Sequence, residues 1–479
     1  MDFGLVSAKE ILDMISQREQ VVFDHIFIIG DLDSNKLNLP LAHDLNHIEI
    51  MNVVVGENIK IIQSKIKITN SRIQGDVLFN DTLFIKEIDF SNTSFGGLVD
   101  FKKCYFTSLV TFKDCIFKDS LDLSNVKFLN NMELSNSSID NELICDNSRF
   151  FGTFDSENCI MSGEANFFNV IFEENACFDR CAFKARAFFN GAYFSKYASF
   201  SNTKFGDSEL WTPYWNALEL KNDQLRECAN FSVVEFLNFV DFSNSTFYQD
   251  CIFTGAKLLD GTLFINCSFW GDLNFNDAIL KGPSNFTKSF FNKILNLETS
   301  NINDLSFYRI TFGESSIVKF REASINRLGF SWRAIEERLD YENICEYEFS
   351  QLIQSLRDFG LHDEADSCYY RHREEMRKKR KQCKKQNCEF WINCQERERF
   401  YLKIRDWLSK WYCGYGVKLR NLITINIIFL IAWIFFYIHG INSADGPISN
   451  FYKDLCGNII GWILMPLFAV ILAKKLIRI

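Results

Sequence analysis

The sequence predicts a mainly β, solenoid-type fold over its first two-thirds, continued by an α-helical hairpin and two C-terminal transmembrane helices. Three observations carry this reading. Phe occurs 50 times among 479 residues while Pro occurs only 5 times. Large apolar residues return at alternating steps of five and six, from Ile68 to Phe205 and again from Phe231 to Ile302. Two apolar stretches without a formal charge lie at 422–441 and 457–473.

The chain divides on this basis into residues 1–56, 57–330, 331–410 and 411–479. In the first segment, residues 8–18 place Ile11, Leu12 and Ile15 on one helical face, which predicts a lid on the open end of a solenoid. The strand-like alternation that follows predicts a first, irregular coil.

In the second segment the run Phe79, Phe84, Phe90, Phe95, Phe101, Phe106 is typical, and its phase survives through Ser156 and Met161. A second slot, two residues earlier, takes small or aliphatic side chains such as Ile88, Thr93, Val99 and Cys104. Neither an α-helix nor an alternating strand has this period. A repeat this short cannot bury its own apolar side, so stacked turns must share one core. Many of the 16 cysteines fall in the small slot, where Ala, Ser, Thr and Val replace them, so they are read as buried thiols rather than disulfides.

The pattern small-polar-Phe-polar-polar, as in ANFFN (165–169) and ASFSN (198–202), resembles the pentapeptide-repeat family. The resemblance covers about residues 57–330 and implies a right-handed quadrilateral β-helix with the central residue and the small residue pointing inward. About eleven or twelve turns at roughly 4.8 Å each imply a rod on the order of 50 Å long. Phe in place of Leu at the centre, with five-plus-six steps, implies a coil slightly wider on alternate faces. The repeat breaks once, at 206–228, where Trp211, Tyr214 and Trp215 form a candidate partner-binding loop; the competing reading is that these rings fold back to cap a broken coil.

The third segment is helical in composition. Gly360 ends one helix and Asp363 opens the next, predicting an antiparallel hairpin with Leu352, Leu356 and Phe359 facing Ala365, Cys368 and Tyr369. Its far end carries Arg377, Lys378, Lys379, Arg380 and Lys381, candidate contacts to an anionic lipid surface. Cys383, Cys388 and Cys394 lack tight metal-ligand spacing, so no zinc site is expected.

In the fourth segment, 422–441 has the length of a bilayer-spanning helix, and 457–473 is shorter and contains Pro466. Lys418 and Arg420 before the first span, with Lys474, Lys475 and Arg478 after the second, place the repeat and both termini in the cytoplasm. No secretion signal is seen in residues 1–18. The order of WYCGYGVKLRNLI (411–423), CYYRHR (368–373) and FAVILAKKLIR (468–478) is similar to microbial pentapeptide-repeat proteins ending in a two-helix, potassium-channel-like domain. That resemblance implies a homo-oligomer, a tetramer if channel-like. The connection 442–456 departs from it, having neither the length for a re-entrant helix nor a stacked-carbonyl filter.

The functional expectation is a non-enzymatic, membrane-anchored scaffold that binds a protein partner and needs no cofactor or metal. Six scattered His residues, no phosphate-binding loop and a rod without a cleft argue against an enzyme. The alternatives are a subunit of an ion channel, non-conducting because its pore loop is short, and a DNA-mimic rod that binds a topoisomerase. Direct nucleic-acid binding is not expected at a net charge of -9. Acidic and basic residues interleave along the repeat, which weakens the field a DNA mimic needs.

Overall fold

The structure, a computed structural model, describes residues 3–42, 49–50, 53–56, 58–206 and 227–385, with positions 407, 410, 424, 427, 428 and 431 beyond them. Two compact units result, 1–348 and 349–479. Trp211, Tyr214 and Trp215, and almost all of the two apolar stretches, lie outside the described residues. Among the described residues no helix is long and apolar enough to cross a membrane.

The first unit is a parallel β-solenoid. Each turn lays down four short strands, and each strand pairs in parallel with the strand one turn later. Four faces follow in chain order: face 1 stacks Val77, Val99 and Leu121; face 2 stacks Phe84, Phe106 and Phe128; face 3 stacks Ile88, Val110 and Met132; face 4 stacks Phe95, Phe117 and Ile139. Among the described residues face 1 holds 12 strands, within the count the repeat predicts, and face 4 holds 13, one more. The reason is that the coil begins early. Gly4–Ser7 and Ile26–Ile29 already pair on face 4, and Val21–Asp24 pairs with Ile66–Thr69 on face 3.

The alternating steps are explained by two kinds of corner. A five-residue step closes a tight β-turn, as where Cys104 N–H donates to the Phe101 carbonyl over 3.1 Å. The third residue of this turn has positive φ, as at Lys103 (+57°), Asn125 (+57°) and Asn147 (+57°). Asn tolerates that region better than other side chains, which explains its recurrence there. Stacked Asn side chains bond between turns, Asn92 Nδ2 to Asn70 Oδ1 at 2.7 Å and Asn266 Nδ2 to Asn244 Oδ1 at 3.0 Å. A six-residue step puts its extra residue in the other corner, outside the paired strands.

The outward Asp residues do more than solvate the rod. Asp100, Asp122 and Asp241 each accept the backbone N–H two residues on, at 2.8, 2.8 and 2.7 Å. These turns supply partners for amides that the short strands leave unpaired.

Inside, Phe rings stack along the axis. On face 2 the column Phe84, Phe106, Phe128, Phe150, Phe172, Phe194, Phe236 keeps centroids 4.7–5.0 Å apart. Between faces the rings meet edge-on, as for Phe189 and Phe200 at 5.2 Å and 90°. Ser156 and Met161, which keep the repeat's phase through its weak stretch, are fully buried.

The small slot before each face-4 centre carries a ladder of donors that the pattern did not foretell. Thr93 Oγ1 donates to the Ile68 carbonyl at 2.9 Å, Cys115 Sγ to Phe90 at 3.0 Å, Ser137 Oγ to Phe112 at 2.6 Å, Cys159 Sγ to Leu134 at 3.0 Å and Thr203 Oγ1 to Phe178 at 2.6 Å. Cys, Ser and Thr interchange here because each is a small donor that satisfies a buried carbonyl of the previous turn. The described cysteines are all free thiols. Burial pushes the Cys115 and Cys267 thiols up from about 9 to about 12, which keeps them protonated donors. The unfolded thiols would ionise first as pH rises past about 9. Their contribution to stability is therefore complete below that pH and lost as pH climbs toward about 12. In the folded chain iodoacetamide at neutral pH should label exposed Cys345 and spare Cys104, Cys115, Cys159, Cys181 and Cys267, as read by peptide mass spectrometry; early labelling of the five would contradict the ladder.

Both ends of the solenoid are closed. Helix α1 (Ala8–Ser16), whose N-cap Ser7 side chain accepts the Lys9 N–H, buries Ile11, Leu12 and Ile15. At the other end α2 (Trp332–Ile335) buries Trp332 and Ile335, and the segment beyond it bonds back to the last turn, Val318 N–H to Arg338 O at 2.7 Å and Asp340 N–H to Val318 O at 2.9 Å. Past Ile302 the five-and-six pattern fades through Phe312, Ile317, Ile325 and Phe330, and Ile317, a core position on that pattern, is 40% exposed. The last turn is irregular, and Val318 and Phe320 take the two inward slots instead.

No break opens at the insertion. Phe205 stacks on Phe247 at 4.7 Å and Phe189 on Phe231 at 4.9 Å, so the coil is continuous across 207–226 and offers no open end there for aromatic rings to cap.

Helix α3 (Glu346–Asp358) runs across the boundary between the units, and α4 (His362–Lys385) follows in the second, with Gly360 at φ +73° between them. Leu352, Leu356, Ala365 and Cys368 are buried and Tyr369 is half-buried, whereas Phe359, just past the end of α3, is 40% exposed.

Candidate protein-binding surface

A solenoid of this kind presents columns of outward side chains one turn apart, so a binding surface is read from those columns. The basic cluster lies on α4: Lys378 is exposed and bonds Glu375 at 2.7 Å, and Arg371 reaches the same carboxylate at 3.3 Å. Arg377 and Lys379 are half-buried. The side chains of Arg380 and Lys381 lie outside the described residues. The described chain reaches Gly206 at the end of a face-4 strand and resumes at Glu227 on face 1; Trp211, Tyr214 and Trp215 fall between these points, outside the described residues.

Charge along the rod is paired from turn to turn. Lys67 meets Asp89 at 2.8 Å, Lys118 meets Asp140 at 2.9 Å, and Lys257 meets Glu235 at 2.6 Å. Arg149 Nε meets Glu173 at 2.9 Å, and Arg180 and Arg186 pair with Glu157 and Glu164. These pairs neutralise the acidic residues they involve, while Asp100 and Asp122 stack in direct register.

Exposed apolar side chains lie on face 4, at Leu5, Ile29, Ile116 and Ile160, and around face 2. At the N-terminal end of face 2 the outward residues Ile61 and Leu83 are covered by the chain itself, where Ala42, Val55 and Ile59 pack on them with Ile85 and Tyr105 at the margin. Four to seven turns along, Phe168 (40% exposed), Tyr197 (37%), Val233 (62%) and Leu237 (37%) flank the same face. Half-buried Phe151, Ile171 and Tyr193 lie among them. Val233 also has φ +55°, rare for a β-branched residue, at a corner position filled by Asn147, Asn169 and Gly191 in the preceding turns. A branched apolar side chain held exposed in a strained conformation is a local cost with no return inside the rod.

These residues escaped the sequence reading because it followed the inward slots. The signal was present in the column of corner residues, where Asn gives way to Gly191, Val233 and Gly255.

Residues 242–289 match the family model described as pentapeptide repeats (9 copies). No curated protein and no solved structure matches the chain. A pentapeptide-repeat solenoid is a structural or binding fold, and the rod described above fits a protein-binding role.

Proposed function

We propose that this chain is a non-enzymatic, protein-binding rod held at the cytoplasmic face of a membrane by its C-terminal segment. The observation that carries the binding half is the apolar exposure around face 2, on a scaffold whose interior is stacked too closely to adapt. Rigid presentation keeps the ordering cost of binding low. The anchoring half rests on the sequence of 422–441 and 457–473, each apolar and uncharged, and on the basic flanks that orient them. The basic end of α4 would add attraction to anionic headgroups, about 1 kcal/mol per cation close to the surface.

Removing residues 411–479 tests the anchor. The full chain should float with vesicles of mixed neutral and anionic phospholipid, and the truncated chain should stay in the soluble fraction. A truncated chain that still floats in 1 M salt would sink the anchoring claim, because salt screens what the basic helix contributes.

A further inference from the structure

We propose that face 2 binds a second copy of this chain, the two rods lying antiparallel and face to face about a two-fold axis between the turn of Ile171 and the turn of Tyr193. This goes beyond the scaffold reading and does not depend on the anchor. Two outward columns run along face 2 in these turns. One carries Arg149, Ile171, Tyr193 and Glu235, in direct register through parallel pairing. The other, two residues later in each turn, carries Phe151, Glu173, Ser195 and Leu237.

A two-fold axis at that place reverses the order of turns and keeps each column opposite itself. Arg149 then faces Glu235 of the second copy, and Glu235 faces its Arg149. Ile171 faces Tyr193, Phe151 faces Leu237, and Glu173 faces Ser195, the residue whose hydroxyl it already accepts within the rod at 3.1 Å. At the adjoining corner exposed Glu174 faces exposed Lys196. Within these two columns and at this corner, every charged residue thus meets an opposite charge or a hydroxyl, and every apolar one meets an apolar one. A parallel arrangement sets Ile171 against Glu173 and Glu235 against Leu237, burying carboxylates on aliphatic groups.

One turn beyond the seam on each side Lys127 faces Lys257, so like charge limits the contact to the four turns. At roughly 4.8 Å per turn and five residues across, each copy contributes a footprint of roughly 300 Å². Interfaces of this size are weak and transient, so the association is expected to be micromolar or weaker. Phe168, Val233 and Tyr197 border this footprint, where contact would cover apolar groups that the rod leaves exposed.

Cross-linking of the full chain through introduced cysteines reads the geometry. Ser195→Cys lies one turn, about 5 Å along the rods, from its symmetry mate, and Lys257→Cys lies five turns, about 24 Å, from its own. A short bis-maleimide should therefore join S195C chains well above the unsubstituted background and K257C chains no more than it. Arg149→Glu or Glu235→Arg in the S195C chain should each cut the yield at least fivefold, and the two together should restore it to within twofold. Within each rod the double variant still sets like charge beside Glu173 and beside Lys257, so its recovery isolates the contact between copies. No product from S195C above background, equal yields at 195 and 257, or a double variant no better than the singles would each overturn the proposal.

Discussion

Phe200→Ala is expected to destabilise the rod by about 3–5 kcal/mol, the usual cost of removing a buried Phe ring. Phe200 is fully buried, stacks on Phe178 at 4.7 Å and on Phe242 at 4.8 Å, and meets Phe189 and Phe231 edge-on at 5.2 and 5.5 Å. Neighbours held in stacked strands cannot collapse into the void, so the cavity term stays close to its full value. Because each turn touches only the turns beside it, the loss should weaken the coupling between the two halves. Hydrogen exchange by mass spectrometry should show protection falling on both sides of residue 200, with the half nearer one end opening before the other. A loss under about 1 kcal/mol would mean that the rings are not a close-packed ladder.

Trp332→Ala is expected to cost a similar amount, about 3–5 kcal/mol, with a different spatial signature. Trp332 is among the largest fully buried side chains and belongs to the short helix that closes the C-terminal end, with Ile335, Leu339 and Ile344 also buried. Without it the last turn loses its cover and exposes both apolar core and unpaired strand edge. Faster exchange should stay confined to about residues 311–348, while turns near Phe101 keep their protection. The open edge should also raise concentration-dependent aggregation. Equal loss of protection along the whole rod would contradict the nearest-neighbour picture.

The solenoid was legible in the sequence because its inward slots repeat with little noise: Phe84, Phe106 and Phe128 occupy equivalent places in successive turns, and Thr93 or Cys115 precede their centres by two. The helical lid was legible for the same reason, since Ile11, Leu12 and Ile15 form one stripe. What escaped depends on hydrogen bonding rather than burial. Nothing in the spacing says that Ser137 donates to a carbonyl one turn back or that Asp100 accepts the Lys102 amide, because a polar residue looks the same whether it is solvated or bonded. Ile317 misled the pattern because the last turn lengthens, and Phe359 because α3 ends at Asp358, just before it. The continuity of the coil across 207–226 was hidden because a linear register cannot show that Ala187 pairs with Ala229. The exposed residues of face 2 could have been found, had Val233 been compared with Asn169 and Gly191 rather than with the centres on either side.

The central claim is that these turns form one rigid, continuously stacked rod presenting a fixed surface. A distance between spin labels on face 4, placed through non-canonical residues at Ser94 and Ser268, tests it most directly. The two positions are about seven turns apart, so pulsed dipolar spectroscopy should give one narrow distribution centred near ~34 Å plus the reach of the labels. A broad distribution, or a second population that is present when the insertion at 207–226 is left intact and vanishes when it is removed, would show that the rod is jointed and would contradict the account.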